Sequence, residues 1–226
     1  MIDFARERRT MVETQLRPNE VTDTRLLAAM GALPRDRFVP ERLRMLSYMD
    51  EGIEVFPGIA GAPARFLLAP MVLARLIQLA AVEPEDSVLD IGCATGYSTA
   101  VLAELGRPVV GVEAEPELAK AARGALRDLG LANADIFEGP LAGGCPEKGP
   151  YDVILLNGSV PAAPQALLAQ LTEGGRLAAI LSGGGYGAQG KAYLFVKAGG
   201  EASGVPHFDA GAPQLPGFSP EPVFSF

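Results

Sequence analysis

Cysteine and histidine are almost absent from this chain. Its two cysteines, Cys93 and Cys145, are too few for a disulfide framework, and together with the sole histidine, His207, they make no cluster at metal-ligand spacing, so no metal is expected. Positive charge is also short. A net charge of -8 argues against the basic surface that non-specific binding to nucleic acid or an anionic membrane would require. No apolar run reaches the roughly 20 residues of a membrane span. The most apolar stretch, Phe66 to Val82, is interrupted by Pro70, Arg75 and Gln78 and reads as a packed helix. The opening Met1 to Arg9 is charged where an export signal needs an apolar core, so a reducing cytoplasm is the expected compartment.

What is present is concentrated in one stretch. Val88-Leu-Asp-Ile91 is short and apolar, Gly92 and Gly96 follow, and Tyr97 to Leu105 repeats its apolar positions at helical spacing. That order reads as strand, tight loop, helix. Glycines at such a turn permit positive φ and let a ligand approach the backbone. The next apolar run, Pro108 to Val112, closes on Glu113, where a carboxylate can accept both hydroxyls of a ribose. Ala94 occupies the middle position of the dinucleotide fingerprint, and no Gly-Lys-Ser/Thr is present to clamp phosphate. The pattern Asp90-x-Gly92-x-x-x-Gly96 resembles the S-adenosylmethionine loop of Rossmann-like methyltransferases, which makes S-adenosylmethionine the expected cofactor.

The N-terminal wording narrows the resemblance. Met11-Val-Glu-Thr-Gln-Leu16, the segment Val21 to Met30, Pro34-Arg-Asp-Arg-Phe-Val-Pro40 and Tyr48-Met-Asp50 occur in order, and Leu167-Leu-x-Gln-Leu171 with Gly174-Gly-Arg-Leu177 follows the nucleotide loop. This series resembles the protein-L-isoaspartate O-methyltransferase family over about three quarters of the chain. It implies a Rossmann-like class I methyltransferase fold, methylation of isoaspartyl carboxylates in damaged proteins (protein repair), and a protein or peptide carboxylate as partner. Cofactor contacts implied by the loop, the acid and the following strand are Asp90, Gly92, Cys93, Ala94, Gly96, Glu113, Ala114, Gly139 and Leu141.

The chain also departs from that family. Anchored on Pro70, the position of its acceptor-side Ser or Thr falls on Leu68, and no Ser or Thr occurs from Asp50 to Ala80. Gly139-Pro140-Leu141 replaces a Gly-Asp-Gly, so an acidic acceptor for the adenine amino group is missing. Arg65, the only cation between Arg44 and Arg75, either holds a substrate carboxylate or is a solvated loop residue, the latter being the commoner situation. Asn157 and Ser159, beyond a strand ending at Leu156, are substrate-side candidates or turn residues. Cys93 reads as a packing residue and His207 as a surface one, although sequence alone leaves a pairing of the two open. The alternatives to isoaspartyl methylation are a different acceptor, or a binding protein without turnover.

Alternation of helices and strands predicts a doubly wound, mostly parallel α/β sheet of about seven strands behind an N-terminal helical annex. Helices are expected over Ala5 to Leu16, Thr24 to Leu33, Pro70 to Ala81, Pro116 to Leu129 and Pro164 to Leu171. Strands are expected at Ala134 to Phe137, Tyr151 to Leu156, Arg176 to Leu181 and Ala192 to Lys197. One domain accounts for 1-226: an annex and acceptor loop over 1-66, a cofactor-binding core over 67-198, and a tail over 199-226. That tail is rich in Gly, Pro and Ala without strand period, and Val223-Phe-Ser-Phe226 is expected to return as an edge strand.

Overall fold

Aspartates open the first two helices. In the computed structural model, which describes residues 2–59, 63–182 and 190–218, Asp3 accepts from the Arg6 amide ahead of α1 (Phe4–Met11). The helical path continues through a wide turn, Val12–Leu16, and a tight one, Arg17–Asn19. Asp23 accepts from the amides of Arg25 and Leu26 at the start of α2 (Thr24–Ala32), and Pro34 bars its continuation. Gln78 of α3 (Pro70–Ala80) ties this annex to the core: its Oε1 accepts from the amides of Thr22 and Asp23, and its Nε2 donates to the Glu20 carbonyl.

Between annex and core, the stretch expected to be an acceptor loop forms a small antiparallel pair, β1 (Ile53–Phe56) with β2 (Arg65–Leu67). The pair turns Arg65 and Leu67 inward, a consequence of period-two alternation once the strands are paired.

Among the described residues the main sheet has seven strands, in the order β5-β4-β3-β6-β7-β8-β9 when numbered along the chain. β3 (Val88–Ile91), β4 (Val109–Glu113), β5 (Ala134–Glu138), β6 (Tyr151–Val160) and β7 (Leu171–Leu181) run parallel; β8 (Gly190–Ala198) and β9 (Glu201–Ala210) extend the sheet antiparallel. β3 lies between β4 and β6 and is apolar throughout except for Asp90. Side chains alternate between two cores. Val88, Val109, Val153 and Leu155 face α3, α4 (Tyr97–Ala103), α5 (Pro116–Asp128) and the annex, whereas Leu89, Val110, Ile154 and Leu156 face the other side. That second face is covered by the single turn α6 (Gln165–Leu168), Leu141, and Leu215 and Phe218 from the C-terminal segment.

Three expectations require correction. The strand expected to end at Leu156 runs on to Val160, so Asn157 and Ser159 lie within β6 and not in a turn beyond it. The helix anticipated over Pro164 to Leu171 is only the one turn of α6, because Leu171 already pairs with Tyr151 as β7 begins. The supposedly irregular tail begins with β9, ten residues long, joined to β8 by Gly199 and Gly200 at φ 64° and 83°. Two successive positive-φ residues make the tight hairpin turn whose twist suits paired strands, and Gly-Gly is its sequence signal. Both amides donate to the Glu173 carboxylate. The edge strand expected at Val223 to Phe226 lies outside the described residues, as does most of the Ser182 to Gly187 turn.

Replacing Gly200 by Ala puts a Cβ at positive φ with open space around it. The variant should lose about 1 kcal/mol, read from the urea midpoint, through backbone strain alone. An unchanged midpoint would mean that the β8–β9 pair does not depend on this turn.

Candidate active site

The carboxyl ends of β3, β4 and β6 meet at the glycine turn. Gly92 and Cys93 donate their amides to the Val112 carbonyl at 2.9 and 3.2 Å, which stitches the turn onto β4. Gly92 has φ 73° and Gly96 φ 92°. A Cβ on Gly96 would stand 3.0 Å from the Ala122 side chain, so this glycine also lets α4 and α5 pack closely. Ala94 holds φ 50°, a left-handed conformation costing about 1–2 kcal/mol for a residue with a Cβ. Its amide points at Glu113.

Glu113 is fully buried, and both its oxygens are occupied. Oε1 accepts from the amides of Ala114 and Glu115 at 2.9 and 3.2 Å; Oε2 accepts from the Ala94 amide at 2.8 Å and from Arg65 Nη2 at 3.0 Å. Arg65 is 4% exposed, not solvated, and the same nitrogen donates to the Gly92 carbonyl at 3.1 Å. Pairing of β2 with β1 carries the guanidinium inward, and the buried carboxylate compensates its charge. Arg65 Nη1 is buried without a partner.

Asp90 organises a second polar cluster. Ser98 and Thr99, in the first turn of α4, donate to Oδ2 at 2.7 and 2.6 Å, while Asn157 donates to Oδ1 and to the Ile91 carbonyl. Burial pushes the Asp90 carboxyl up to about 6; the hydroxyl and amide donors oppose that shift, and the Glu113 charge adds to it. Asn157, one of the two substrate-side candidates, is thus engaged beneath the turn. Ser159, the other, is engaged above it: its Oγ donates to the Ala212 carbonyl at 3.0 Å, its amide donates to Pro213 at 2.9 Å, and its carbonyl accepts from the Leu215 amide at 2.9 Å.

Leu68 lies at the edge of this cluster, 4% exposed. Arg35, wholly buried, donates to the Leu68 carbonyl at 2.7 Å and to the Ser47 carbonyl at 2.8 Å, and packs over the Tyr97 ring. Cys93 is buried, and desolvation together with Asp90 and Glu113 pushes its thiol well above the ordinary range, which disfavours a nucleophilic thiolate. His207 is exposed on β9, the outermost strand among the described residues and four strands from β3, so the two are not paired. Gly139 donates its amide to the Glu113 main-chain carbonyl at 3.0 Å, and Leu141 is buried above Gly92.

Leu215 completes the site, and no periodicity in the sequence announced it. A Cβ placed on Gly92 would lie 2.8 Å from Leu215 Cδ2, 3.0 Å from Arg65 Nη2 and 3.6 Å from Leu141 Cδ1; one on Gly158 would lie 2.7 Å from Leu215 Cγ. The cavity bounded by Arg35, Leu68, Gly92, Cys93, Tyr97 and Asn157 holds only about 10 Å³. That is about the space of one water.

Residues 6–200 match the family model described as protein-L-isoaspartate(D-aspartate) O-methyltransferase. The chain is 37% identical over 174 residues to a protein-L-isoaspartate O-methyltransferase of Koribacter versatilis, covering 77% of this chain and 76% of that one. It is 38% identical over 195 residues to the protein of that name from a Synechococcus strain, covering 85% and 78%. A solved protein-L-isoaspartate O-methyltransferase superposes with TM-score 0.81 and 25% identity over 93% of this chain and 66% of the solved one, which is the longer protein. A putative protein-L-isoaspartate O-methyltransferase from Plasmodium falciparum, solved in complex with S-adenosyl-L-homocysteine, shares the fold at TM-score 0.73 and 20% identity over 92% of this chain and 97% of that one.

Two outcomes follow from the charge clusters. Glu113→Ala strands a buried guanidinium and should cost about 3–5 kcal/mol, whereas Arg65→Gln leaves Glu113 its amide donors and should cost about 1.5–3 kcal/mol; urea titration of both variants checks the asymmetry, and equal losses would contradict it. For Asp90, the folded-state value of about 6 exceeds the ordinary 3.8, so its proton stabilises the fold below pH 4, and this contribution is lost as pH rises through 6. The stability difference between wild type and Asp90→Asn should therefore shift against wild type by roughly 3 kcal/mol over that window. A flat difference would place the titration elsewhere.

Proposed function

Because the chain belongs to the protein-L-isoaspartate(D-aspartate) O-methyltransferase family, we propose that it methylates isoaspartyl carboxylates in peptides and damaged proteins, with S-adenosylmethionine as methyl donor. The observation that carries this reading is the turn from Gly92 to Gly96 lying directly against buried Glu113 at the carboxyl ends of adjacent parallel strands. A crevice at strand ends, with an acid to accept ribose hydroxyls, is where α/β sheets bind nucleosides. In this proposal Asp90, Gly92, Cys93, Ala94, Gly96, Glu113 and Ala114 frame the cofactor, and Gly139 and Leu141 lie on the adenine side.

The backbone framework suits a nucleoside, but the space in this arrangement does not. Leu215 and Arg65 cover Gly92, and Glu113 has no oxygen without a partner. Cofactor binding therefore requires both side chains to move.

On the acceptor side, an isoaspartyl carboxylate is already ionised at neutral pH, since its ordinary value is near 4, and no general base is needed. Alignment is the main requirement. The wall available for it is apolar, built by Phe66, Leu67, Leu68 and Leu73. The hydroxyls of Ser98 and Thr99 are committed to Asp90, and Arg35 holds the Leu68 main chain in place.

Turnover of an isoaspartyl peptide should accordingly be slow. Leu68→Ser, which supplies one hydrogen bond to a charged acceptor, should raise kcat about tenfold. Base-labile methyl ester formation on one isoaspartyl peptide, compared with its ordinary aspartyl counterpart, checks both statements. Rapid wild-type turnover that the serine does not improve would refute this account of the pocket.

A further inference from the structure

The residues that cover Gly92 in the crevice come from two segments far apart in the chain. Arg65 enters from β2, which is only three residues long, and spends its Nη2 on Glu113 and Gly92. Leu215 enters from the segment that follows β9, which runs beside the end of β6 and is pinned at Ser159 by hydrogen bonds through Ala212, Pro213 and Leu215. Gln214 Nε2 caps the segment on the Phe218 carbonyl. We propose that Arg65 and the 212–218 segment form an intramolecular plug that competes with the nucleoside cofactor for Gly92 and Glu113; the proposal rests on the reading of the crevice given above.

The chemistry of the competition is specific. Arg65 gives the Glu113 carboxylate a donor where a ribose diol would give neutral hydroxyls, and Leu215 lays an apolar side chain over the glycine that an incoming ligand must approach. Both contacts are built to be reversible. Pro213 and Pro216 have no amide to donate, so the segment's attachment to β6 is a few hydrogen bonds instead of a continued ladder. Arg65 follows the exposed Pro63 and half-buried Ala64, and it is held through Nη2 alone, its Nη1 having no protein partner. The plug is also continuous with the fold, since Leu215 and Phe218 help to cover the second face of the sheet.

Calorimetric titration with S-adenosylhomocysteine tests the proposal without relying on turnover. Wild type should bind weakly, and Arg65→Gln and Leu215→Ala should each tighten binding by at least about tenfold, a gain that loss of a merely structural contact would not produce. Thermal melting establishes that each variant is folded. Hydrogen exchange on wild type gives the second readout: saturating S-adenosylhomocysteine should speed exchange of the Leu215 amide while it slows exchange of the Ala94 amide. Tight wild-type binding that neither variant improves, or a Leu215 amide that stays protected with ligand bound, would overturn the plug and leave the family reading intact. Absence of binding in wild type and both variants would overturn the cofactor reading, and the plug with it.

Discussion

The Glu113 carboxylate is the constraint on which the rest of the site depends. A fully buried charge needs donors on both oxygens, and it obtains them from amides at the end of β4, from Ala94 in the glycine turn, and from the Arg65 guanidinium. Those demands explain several local features together. Ala94 tolerates a left-handed backbone because its amide is then delivered to the carboxylate, and the β1–β2 pair exists where a bare loop was expected because it carries Arg65 to the same point.

Asp90 has the corresponding role on the neighbouring strand. It fastens β3 to the first turn of α4 through Ser98 and Thr99 and to β6 through Asn157, so that the glycine turn between them is held from below. Two buried acids on adjacent strands repel each other, and this is one reason the Asp90 proton is retained to higher pH than usual. The turn above this platform is covered by side chains that arrive from outside the main sheet, Arg65 from β2 and Leu215 from the C-terminal segment.

The two faces of that sheet are covered unequally. Helices α3, α4 and α5 and the annex pack on one, whereas among the described residues the other relies on a one-turn helix, Leu141 and the C-terminal segment. A segment recruited to finish a core lies, for the same reason, next to the strand ends where ligands bind in this architecture. Closure of the crevice and completion of the second face are thus two results of one packing event.

Much of this protein is legible from its residues in order. The strand-turn-helix around Gly92, the placement of Glu113 at a strand end, the Asp23 cap and the sheet of alternating strands and helices all follow from local chemistry: hydrophobic period, capping and the conformational freedom of glycine. The Gly199-Gly200 turn is legible too, because its signal is local, even though the composition of the tail obscures it. Linear order does not reveal which distant side chains meet. Arg65 lies 48 positions before Glu113, and nothing in its own neighbourhood distinguishes a solvated loop arginine from a buried one. Leu215 has no periodic partners, and its burial depends on a segment whose path is set by Ser159 on β6. Local propensity acts through bonds and near neighbours, so the elements and the framework of the crevice can be read along the chain. Burial and charge compensation act across the whole fold, and it is in the folded molecule alone that the crevice is seen to be filled by the chain's own arginine and leucine.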